Sequence, residues 1–295
     1  QTEILTRDTL GDQLLILLDC QAFWGVRESI CLPNLNQALL EGSIDLAVHS
    51  AKDMPVSLPE GLVISALSER EDPGDVLILP KTASKTDKKE LVIGTSSPRR
   101  QLQIREQWQS ICGSTKWLDK ESRPVCVTLR GNVQTRLKKL KEGACDGILL
   151  AAAGLKRLGI EEGEEWRFIR LSPEQFLPAG GQGILAVETK ADTEAHRLCS
   201  QIDCRSSRLC LTAERSVLET LQAGCHAPVA VYANLFEEDG ETKLRLRGIN
   251  GPEHASQLTD AELKNKIRRV DLCGTLSEIS VTTLADQAGK GLLWP

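Results

Sequence analysis

The sequence predicts an α/β fold with mostly parallel sheets, arranged as two lobes and followed by a small α+β domain. Buried-strand patterns alternate with helical patterns over most of the chain, which is typical of doubly wound parallel sheets. A glycine-rich segment, P-A-G-G-Q-G at residues 178–183, marks a crossing between the lobes. From about residue 203, one helix precedes two strands and a last helix, which indicates a third unit.

The first lobe is predicted from one amphipathic helix and the strands around it. Leu35, Ala38 and Leu39 fall at positions i, i+3 and i+4, and Gly42 follows as a stop signal. Three strands are expected in its sheet, at residues 44–48, 62–66 and 184–189. The last of them follows the glycine-rich crossing, so the chain is expected to return to the first lobe there.

Strand and helix signals also alternate in the second lobe. Four buried strands are predicted, at residues 76–79, 91–94, 125–130 and 146–151. The helix after the second strand has a clear start, because Ser97 can cap it and Pro98 suits its first position. Ile104, Trp108 and Ile111 form the apolar face of that helix.

The third unit contains fewer elements. They are predicted at residues 211–221 (helix), 229–232 and 244–247 (strands) and 283–292 (helix). The resulting division assigns residues 1–71 and 182–201 to the first lobe, 72–181 to the second lobe and 202–295 to the C-terminal domain.

Composition limits the partners of this protein. The chain has 295 residues and a formal net charge of −5, so no bulk attraction to nucleic acid or to an anionic membrane is expected. No apolar run approaches the ~20 residues of a membrane span.

The 10 cysteines contain no C-x-x-C pair, so we predict no metal site and a reducing, cytoplasmic environment. Nothing in the sequence demands an oligomer, and a monomer is predicted.

Basic side chains recur at the predicted joints between strands and helices. They are Lys52, Arg99, Arg100, Arg130 (the predicted end of a strand), Arg136 and Arg157. Ligands of open α/β sheets bind outside the carboxyl ends of the strands, so these side chains are expected to converge on one rim. Because arginine binds carboxylates in a bidentate manner, a polycarboxylate is the natural ligand. The competing interpretation is ordinary solvated surface charge.

Two further residues are candidates for chemistry. Asp53 is an acid among cations, which favours its ionised form, and it could hold a ligand N–H or stabilise a developing cation. The alternative for Asp53 is a plain salt bridge. Cys225 lies in a turn between a helix and a strand, where a thiol can be exposed and nucleophilic. The alternative for Cys225 is a small buried apolar side chain.

Six segments, in order along the chain, resemble the hydroxymethylbilane synthase (porphobilinogen deaminase) family. They are V-H-S-A-K-D-M-P at 48–55, G-T-S-S-P-R-R at 94–100, L-R-G-N-V-Q-T-R-L at 129–137, A-G-L-K-R-L-G at 153–159, P-A-G-G-Q-G at 178–183, and A-E-R-S at 213–216 leading to G-C at 224–225. Ordered agreement of this kind is far more specific than a single motif.

The resemblance implies an enzyme of three domains, the first two of which look like a two-lobed periplasmic binding protein with the active cleft between them. It implies a dipyrromethane cofactor joined to Cys225 by a thioether, so that the third domain anchors the cofactor. It also implies head-to-tail condensation of four porphobilinogen molecules with loss of ammonia, followed by hydrolytic release of linear hydroxymethylbilane. The implied location is the cytoplasm, or the stroma or matrix of an organelle if a transit peptide has been removed.

The resemblance also assigns roles to individual residues. Asp53 would be catalytic, holding pyrrole N–H groups and stabilising the cationic azafulvene formed on deamination. The residues implied to bind the cofactor are Lys52, Asp53, Ser97, Arg99, Arg100, Arg130, Gly131 and Cys225. The residues implied to bind the substrate are Thr95, Ser96, Arg130, Arg136 and Arg157.

The sequence departs from the family at its start. The family's opening strand, G-T-R-x-S-x-L-A, has no counterpart, and residues 24–33 differ from the usual G-K-G-L-F-x-K-E-L-E, with Arg27 as a possible substitute for a lysine. These differences leave two alternatives to a working enzyme. One is a two-lobed carboxylate-binding protein, which would need neither the third domain nor Cys225. The other is a catalytically impaired homologue.

Overall fold

The computed structural model describes residues 32–81, 88–223, 227–252, 254–276 and 281–294. In this part of the chain the helices are α1 (Leu32–Glu41), α2 (Pro98–Gly113), α3 (Val133–Lys141), α4 (Ala152–Arg157), α5 (Glu194–Cys199), α6 (Arg205–Thr220), α7 (Asp260–Lys266) and α8 (Val281–Leu292). The strands are β1 (Leu46–Ser50), β2 (Leu62–Leu67), β3 (Asp75–Pro80), β4 (Glu90–Gly94), β5 (Arg123–Val127), β6 (Gly147–Ala151), β7 (Trp166–Leu171), β8 (Leu185–Lys190), β9 (Val229–Glu238), β10 (Glu241–Asn250) and β11 (Arg268–Thr275).

The first sheet has the described strand order β1-β8-β2. Strand β8 is antiparallel to both neighbours, so β1 and β2 run in the same direction. The predicted return of the chain to this sheet after the glycine-rich crossing is confirmed. The strand predicted at residues 44–48 begins two residues later than expected, at Leu46. The helix predicted from Leu35 to Gly42 is α1, and Gly42 follows it with a φ of 72°.

The second sheet has the order β5-β4-β6-β3-β7. Strands β5, β4 and β6 pair in parallel, and β3 is antiparallel to both β6 and β7. Four strands therefore share one direction, and β3 opposes them. Each opposing strand, β3 here and β8 in the first sheet, is the one that the chain enters directly after crossing between the sheets. The predicted α/β class with mostly parallel sheets is confirmed.

One prediction in this sheet was wrong. The strand expected at residues 125–130 is β5, which ends at Val127. Arg130 therefore lies in the loop before α3 and does not end a strand. The apolar pattern continues to Leu129 because that side chain is buried in the core from the loop, where it packs beside Leu137 and Leu140.

The C-terminal unit is an antiparallel sheet, β11-β10-β9, covered by helices α6 and α8. Strands β9 and β10 are joined by a tight turn in which Asp239 and Gly240 have φ values of 56° and 79°. Both strands extend beyond the predicted residues, and α6 begins six residues before the predicted helix at 211–221, at Arg205. The expected α+β domain is thus confirmed. The domain boundaries at residues 71/72, 181/182 and 201/202 stay a prediction.

Within the described ranges, no helix combines the length and the apolar character that crossing a membrane requires.

Candidate active site

The joint between β4 and α2 places two arginines at the start of a helix. Ser97 is the N-cap of α2, and its hydroxyl accepts a hydrogen bond from the backbone N–H of Arg100 at 3.4 Å. Pro98 opens the helix, as predicted, because its fixed φ suits the first turn. Arg99 and Arg100 consequently leave the first turn of α2 at the carboxyl end of β4.

Both arginines are buried against Asp75, a residue that the sequence reasoning did not find. Arg100 donates from Nε and Nη2 to Oδ1 of Asp75 at 3.2 and 2.7 Å. Nη1 of Arg99 lies 2.8 Å from Oδ2 of the same carboxylate. The exposed fractions are 1% for Asp75, 4% for Arg99 and 6% for Arg100. Burial acts to raise the pKa of Asp75, but the charges of Arg100 and Arg99 outweigh it and hold that pKa well below its ordinary value.

The first sheet places Lys52 and Asp53 near the cluster of Asp75, Arg99 and Arg100. Lys52 and Asp53 lie in a single turn of 3-10 helix after β1. Burial is the main cause that lowers the pKa of Lys52, and Arg100 and Arg99 lower it further, whereas Asp53 and Asp75 oppose the shift. Side chains from both sheets are therefore within electrostatic reach of one another, as the sequence predicted for a shared rim.

The start of α3 supplies Arg136. Asn132 caps α3 by accepting a hydrogen bond from the backbone N–H of Thr135 at 2.8 Å. Nε of Arg136 donates to the carbonyl oxygen of Gly131 at 2.6 Å, and Gly131 has a φ of 121°. Burial first, and then Arg100, lower the pKa of Arg136 to about 10, while Asp53 opposes them. Arg136 is thus still a cation at neutral pH and faces the same cluster.

Arg130 lies in the loop between β5 and α3 and is exposed. Among the described residues, none forms a side-chain ion pair with it at 4.0 Å or less. This leaves its guanidinium free to meet a ligand at the rim.

The hydroxyl groups of Thr95 and Ser96 form hydrogen bonds with backbone groups of the protein. Oγ1 of Thr95 accepts a hydrogen bond from the backbone N–H of Ser97 at 3.2 Å. Oγ of Ser96 donates to the carbonyl oxygen of Leu129 at 2.7 Å. These bonds hold the start of α2 against the loop that carries Arg130. The predicted contact of Thr95 and Ser96 with substrate stays a prediction.

Arg157 contacts a different part of the fold from the buried cluster. Nη2 of Arg157 donates to the carbonyl oxygen of Gly183 at 2.9 Å, so this arginine contacts the crossing between the two sheets. Cys225 lies outside the described residues, as do Arg27 and residues 24–31 of the altered stretch at 24–33. The described ends of the chain on either side of Cys225, at Ala223 and Ala227, pack against the C-terminal core.

The charges of the cluster do not cancel. The guanidinium groups of Arg99, Arg100 and Arg136 outnumber the carboxylates of Asp53 and Asp75, and Lys52 lies in the same cluster. Guanidinium groups suit carboxylate oxygens, so the excess favours an anionic ligand. Within the described ranges there is no group of three or more His, Cys, Asp or Glu side chains that could hold a metal ion.

The fold and this cluster define an α/β protein with two sheets, both of which contribute side chains to one cationic cluster. Residues 1–197 match the family model for "Porphobilinogen deaminase, dipyromethane cofactor binding domain", and residues 208–278 match "Porphobilinogen deaminase, C-terminal domain". The chain belongs to the porphobilinogen deaminase family.

Individual relatives agree with this assignment. Porphobilinogen deaminase of Chromobacterium violaceum is 39% identical over 237 residues, which cover 80% of this chain and 71% of that protein. Porphobilinogen deaminase 1 of Streptomyces coelicolor is 42% identical over 229 residues, 76% of this chain and 67% of that protein. Among solved structures, the periplasmic aliphatic sulphonate binding protein of Escherichia coli aligns with a TM-score of 0.33 and 17% identity, covering 64% of this chain and 57% of that one.

Proposed function

We propose that this protein is a hydroxymethylbilane synthase, a transferase that condenses four porphobilinogen molecules head to tail with loss of ammonia. Porphobilinogen carries an acetate and a propionate, so every added unit brings two more carboxylates into the cleft. The observation that carries the proposal is the cluster of cations from both sheets around Asp53 and Asp75. In a chain with a net charge of −5, such an excess of positive charge has to be built locally.

The residues present fit a cofactor that carries carboxylates. Arg99 and Arg100 form a buried cationic pair beside the partly buried Lys52, and buried cations are stable only with anionic partners. Asp75 alone does not balance them, so they can also bind ligand carboxylates. We place the thioether anchor at Cys225. When bound, dipyrromethane supplies the primer from which the pyrrole chain is extended.

Asp53 is the proposed catalytic residue. It lies beside Lys52 and within electrostatic reach of Arg136, and these cations favour its negative form. A carboxylate in this position can accept a hydrogen bond from a pyrrole N–H of the substrate. It also stabilises the positive charge that develops on the substrate as the C–N bond breaks and ammonia leaves.

The cofactor assignment is tested by intact-mass measurement of protein produced in cells that make porphobilinogen. The wild type is expected to carry an adduct with the mass of two linked pyrroles, and Cys225→Ser is expected to lack it. Cys204→Ser is the matched control and should keep the adduct. A wild-type protein without any adduct, or an adduct that survives in Cys225→Ser, would contradict this assignment.

The reaction is tested by following porphobilinogen consumption and ammonia release. Asp53→Asn keeps the size of the side chain but removes its charge, and a loss of about 100-fold in kcat is expected from removing one charge-stabilising group. Stoichiometric binding without ammonia release would instead indicate a carboxylate-binding protein. An adduct without turnover would indicate a catalytically impaired homologue. Unchanged turnover in Asp53→Asn would contradict the role of Asp53.

The cysteines of the described residues are free thiols, which is typical of a reducing compartment. We therefore propose a cytoplasmic location, to be checked by cell fractionation in the source organism.

A further inference from the structure

The two chain segments that cross between the sheets meet at Asp75. The first crossing ends at Asp75, the first residue of β3, and the second contains Gln182, just before β8. Nε2 of Gln182 donates to the carbonyl oxygen of Pro73 at 2.6 Å and lies 3.1 Å from Oδ1 of Asp75. Both side chains have an exposed fraction of 1%. The Asp75 carboxylate is thus held from the second crossing.

The same carboxylate sets the direction of both arginines at the start of α2. Besides its two bonds to Asp75, Arg100 donates from Nη1 to the carbonyl oxygen of Leu149 at 3.1 Å. Arg99 donates from Nη1 to the carbonyl oxygen of Leu177 at 2.7 Å. Each guanidinium therefore contacts both a backbone carbonyl and Asp75, and these contacts orient it without a ligand.

The two adjacent buried guanidinium groups repel each other. Without a carboxylate between them, they would separate or turn toward water, because an unpaired buried charge is strongly unfavourable. A carboxylate that keeps them together removes the cost of ordering them when an anion binds. Asp75 thus supplies a counter-charge that keeps both guanidinium groups ordered without a ligand.

We propose that Asp75 is a positioning residue of the cleft, which, held by Gln182, keeps Arg99 and Arg100 in the arrangement that receives ligand carboxylates. This inference rests on the proposed function. Asp75 does not need to touch the substrate, because it acts through the two guanidinium groups.

The kinetic test uses Asp75→Asn in the cofactor-loaded enzyme. Asparagine can still accept a hydrogen bond from Arg100, but its amide would face Arg99 without a charge. We expect KM for porphobilinogen to rise at least ~10-fold while kcat changes less than ~3-fold, since the loss is one of binding. A KM within ~2-fold of the wild type would overturn the proposal.

The matched control is Asp203→Asn. Asp203 forms a bidentate pair with Arg208, at 2.5 and 2.8 Å, which is partly exposed and lies in a different part of the fold. This variant is expected to lower the melting temperature and leave KM unchanged. A rise in KM as large as that of Asp75→Asn would show that loss of any Asp–Arg pair has this effect, and would also overturn the proposal.

Gln182→Met keeps the test decisive if Asp75→Asn does not fold. It removes the amide that holds Asp75 but keeps the size of the side chain and the charge of the carboxylate. A rise in KM of about 2- to 5-fold is expected. An unchanged KM in this variant would contradict the role of Gln182 and, with Asp75→Asn unfolded, the proposal itself.

A measurement that needs no activity separates this inference from the proposed function. In nitrogen-15 NMR spectra, the Nε–H of Arg100 should exchange slowly with water, because it is buried and bonded to Asp75. The signal should be lost in Asp75→Asn and kept in Asp203→Asn. If the wild type consumes no porphobilinogen, the proposed function fails but this result still decides the role of Asp75. A fast-exchanging signal in the wild type, or one unchanged in Asp75→Asn, would overturn the inference even if the enzyme is active.

Discussion

Arg70 and Glu214 form a bidentate ion pair in which both N···O distances are 2.8 Å. The Glu214 carboxylate also accepts hydrogen bonds from the backbone N–H groups of Gly181 and Ala233, each at 2.7 Å. Arg70 belongs to the first crossing between the sheets, Gly181 to the second, and Ala233 to β9 of the C-terminal sheet. One buried carboxylate therefore joins three parts of the fold.

Replacing Glu214 by Gln should destabilise the protein by about 3–5 kcal/mol, because it leaves the buried guanidinium of Arg70 without its counter-charge. The free energy of unfolding in urea measures the effect. Asp271→Asn is the control, since its pair with Arg245 is about half exposed and should cost no more than about 1 kcal/mol. Equal losses in both variants would show that Glu214 is not the joining residue that the structure indicates.

Gly183 should not tolerate a side chain. Its φ is 92°, and a Cβ atom at this position would overlap the carbonyl oxygen of Glu71 in the first crossing. Gly183→Ala should therefore cost more than the ~1–2 kcal/mol of a left-handed backbone alone. Gly143 has a comparable φ of 78° and open space around it. Gly143→Ala therefore measures the cost of the left-handed backbone alone. Thermal unfolding of both variants gives the comparison, and equal destabilisation would contradict the predicted overlap.

Arg130 offers a way to separate binding from stability. Because its side chain is exposed, Arg130→Gln should leave the free energy of unfolding within about 0.5 kcal/mol of the wild type. Loss of one charge-assisted bond to a substrate carboxylate should raise KM for porphobilinogen by about 10-fold. Steady-state kinetics and urea unfolding on the same preparation test both parts. A KM that does not change would remove Arg130 from the substrate-binding set.

The stability of the cleft should depend on acid pH through Asp75. Arg100 and Arg99 outweigh burial and lower its pKa in the folded protein, whereas the unfolded chain has an ordinary aspartate pKa of about 3.9. Its contribution is therefore complete above about pH 4 and is lost as the pH falls toward the folded-state pKa. The difference in unfolding free energy between wild type and Asp75→Asn should be constant from pH 7 to about pH 5 and shrink below about pH 4. A difference that stays constant down to pH 2.5 would contradict this.

The described cysteines should differ in reactivity toward iodoacetamide. Hydrogen bonds at the start of α6, first of all from the hydroxyl of Ser206, lower the pKa of Cys204. Burial raises the pKa of Cys112, Cys126 and Cys210 to about 11. At pH 7.5 the thiolate reacts, so Cys204 should be alkylated well before these three, as peptide mass spectrometry would show. Modification of Cys210 at the same rate would argue against the predicted order.

Local signals in the sequence were sufficient to predict where α2 begins. Ser97 and Pro98 act within one helical turn, so the cap could be predicted without knowing the rest of the fold, and the structure confirms it. The end of β5 could not be predicted in this way. Leu129 continues the apolar pattern of the strand, but it is buried from a loop whose shape depends on the packing of α3.

The sequence by itself determined the α/β class, the start of α2 and the set of basic residues near the joints between strands and helices, because hydrophobic periodicity and capping act over a few residues. Only the tertiary structure decided which charges meet. Asp75 is separated from Arg100 by 25 residues and Arg70 from Glu214 by 144, and no local pattern links such distant positions. Both carboxylates are also bound by residues of the second crossing, Gln182 at Asp75 and Gly181 at Glu214, which only the folded chain brings there.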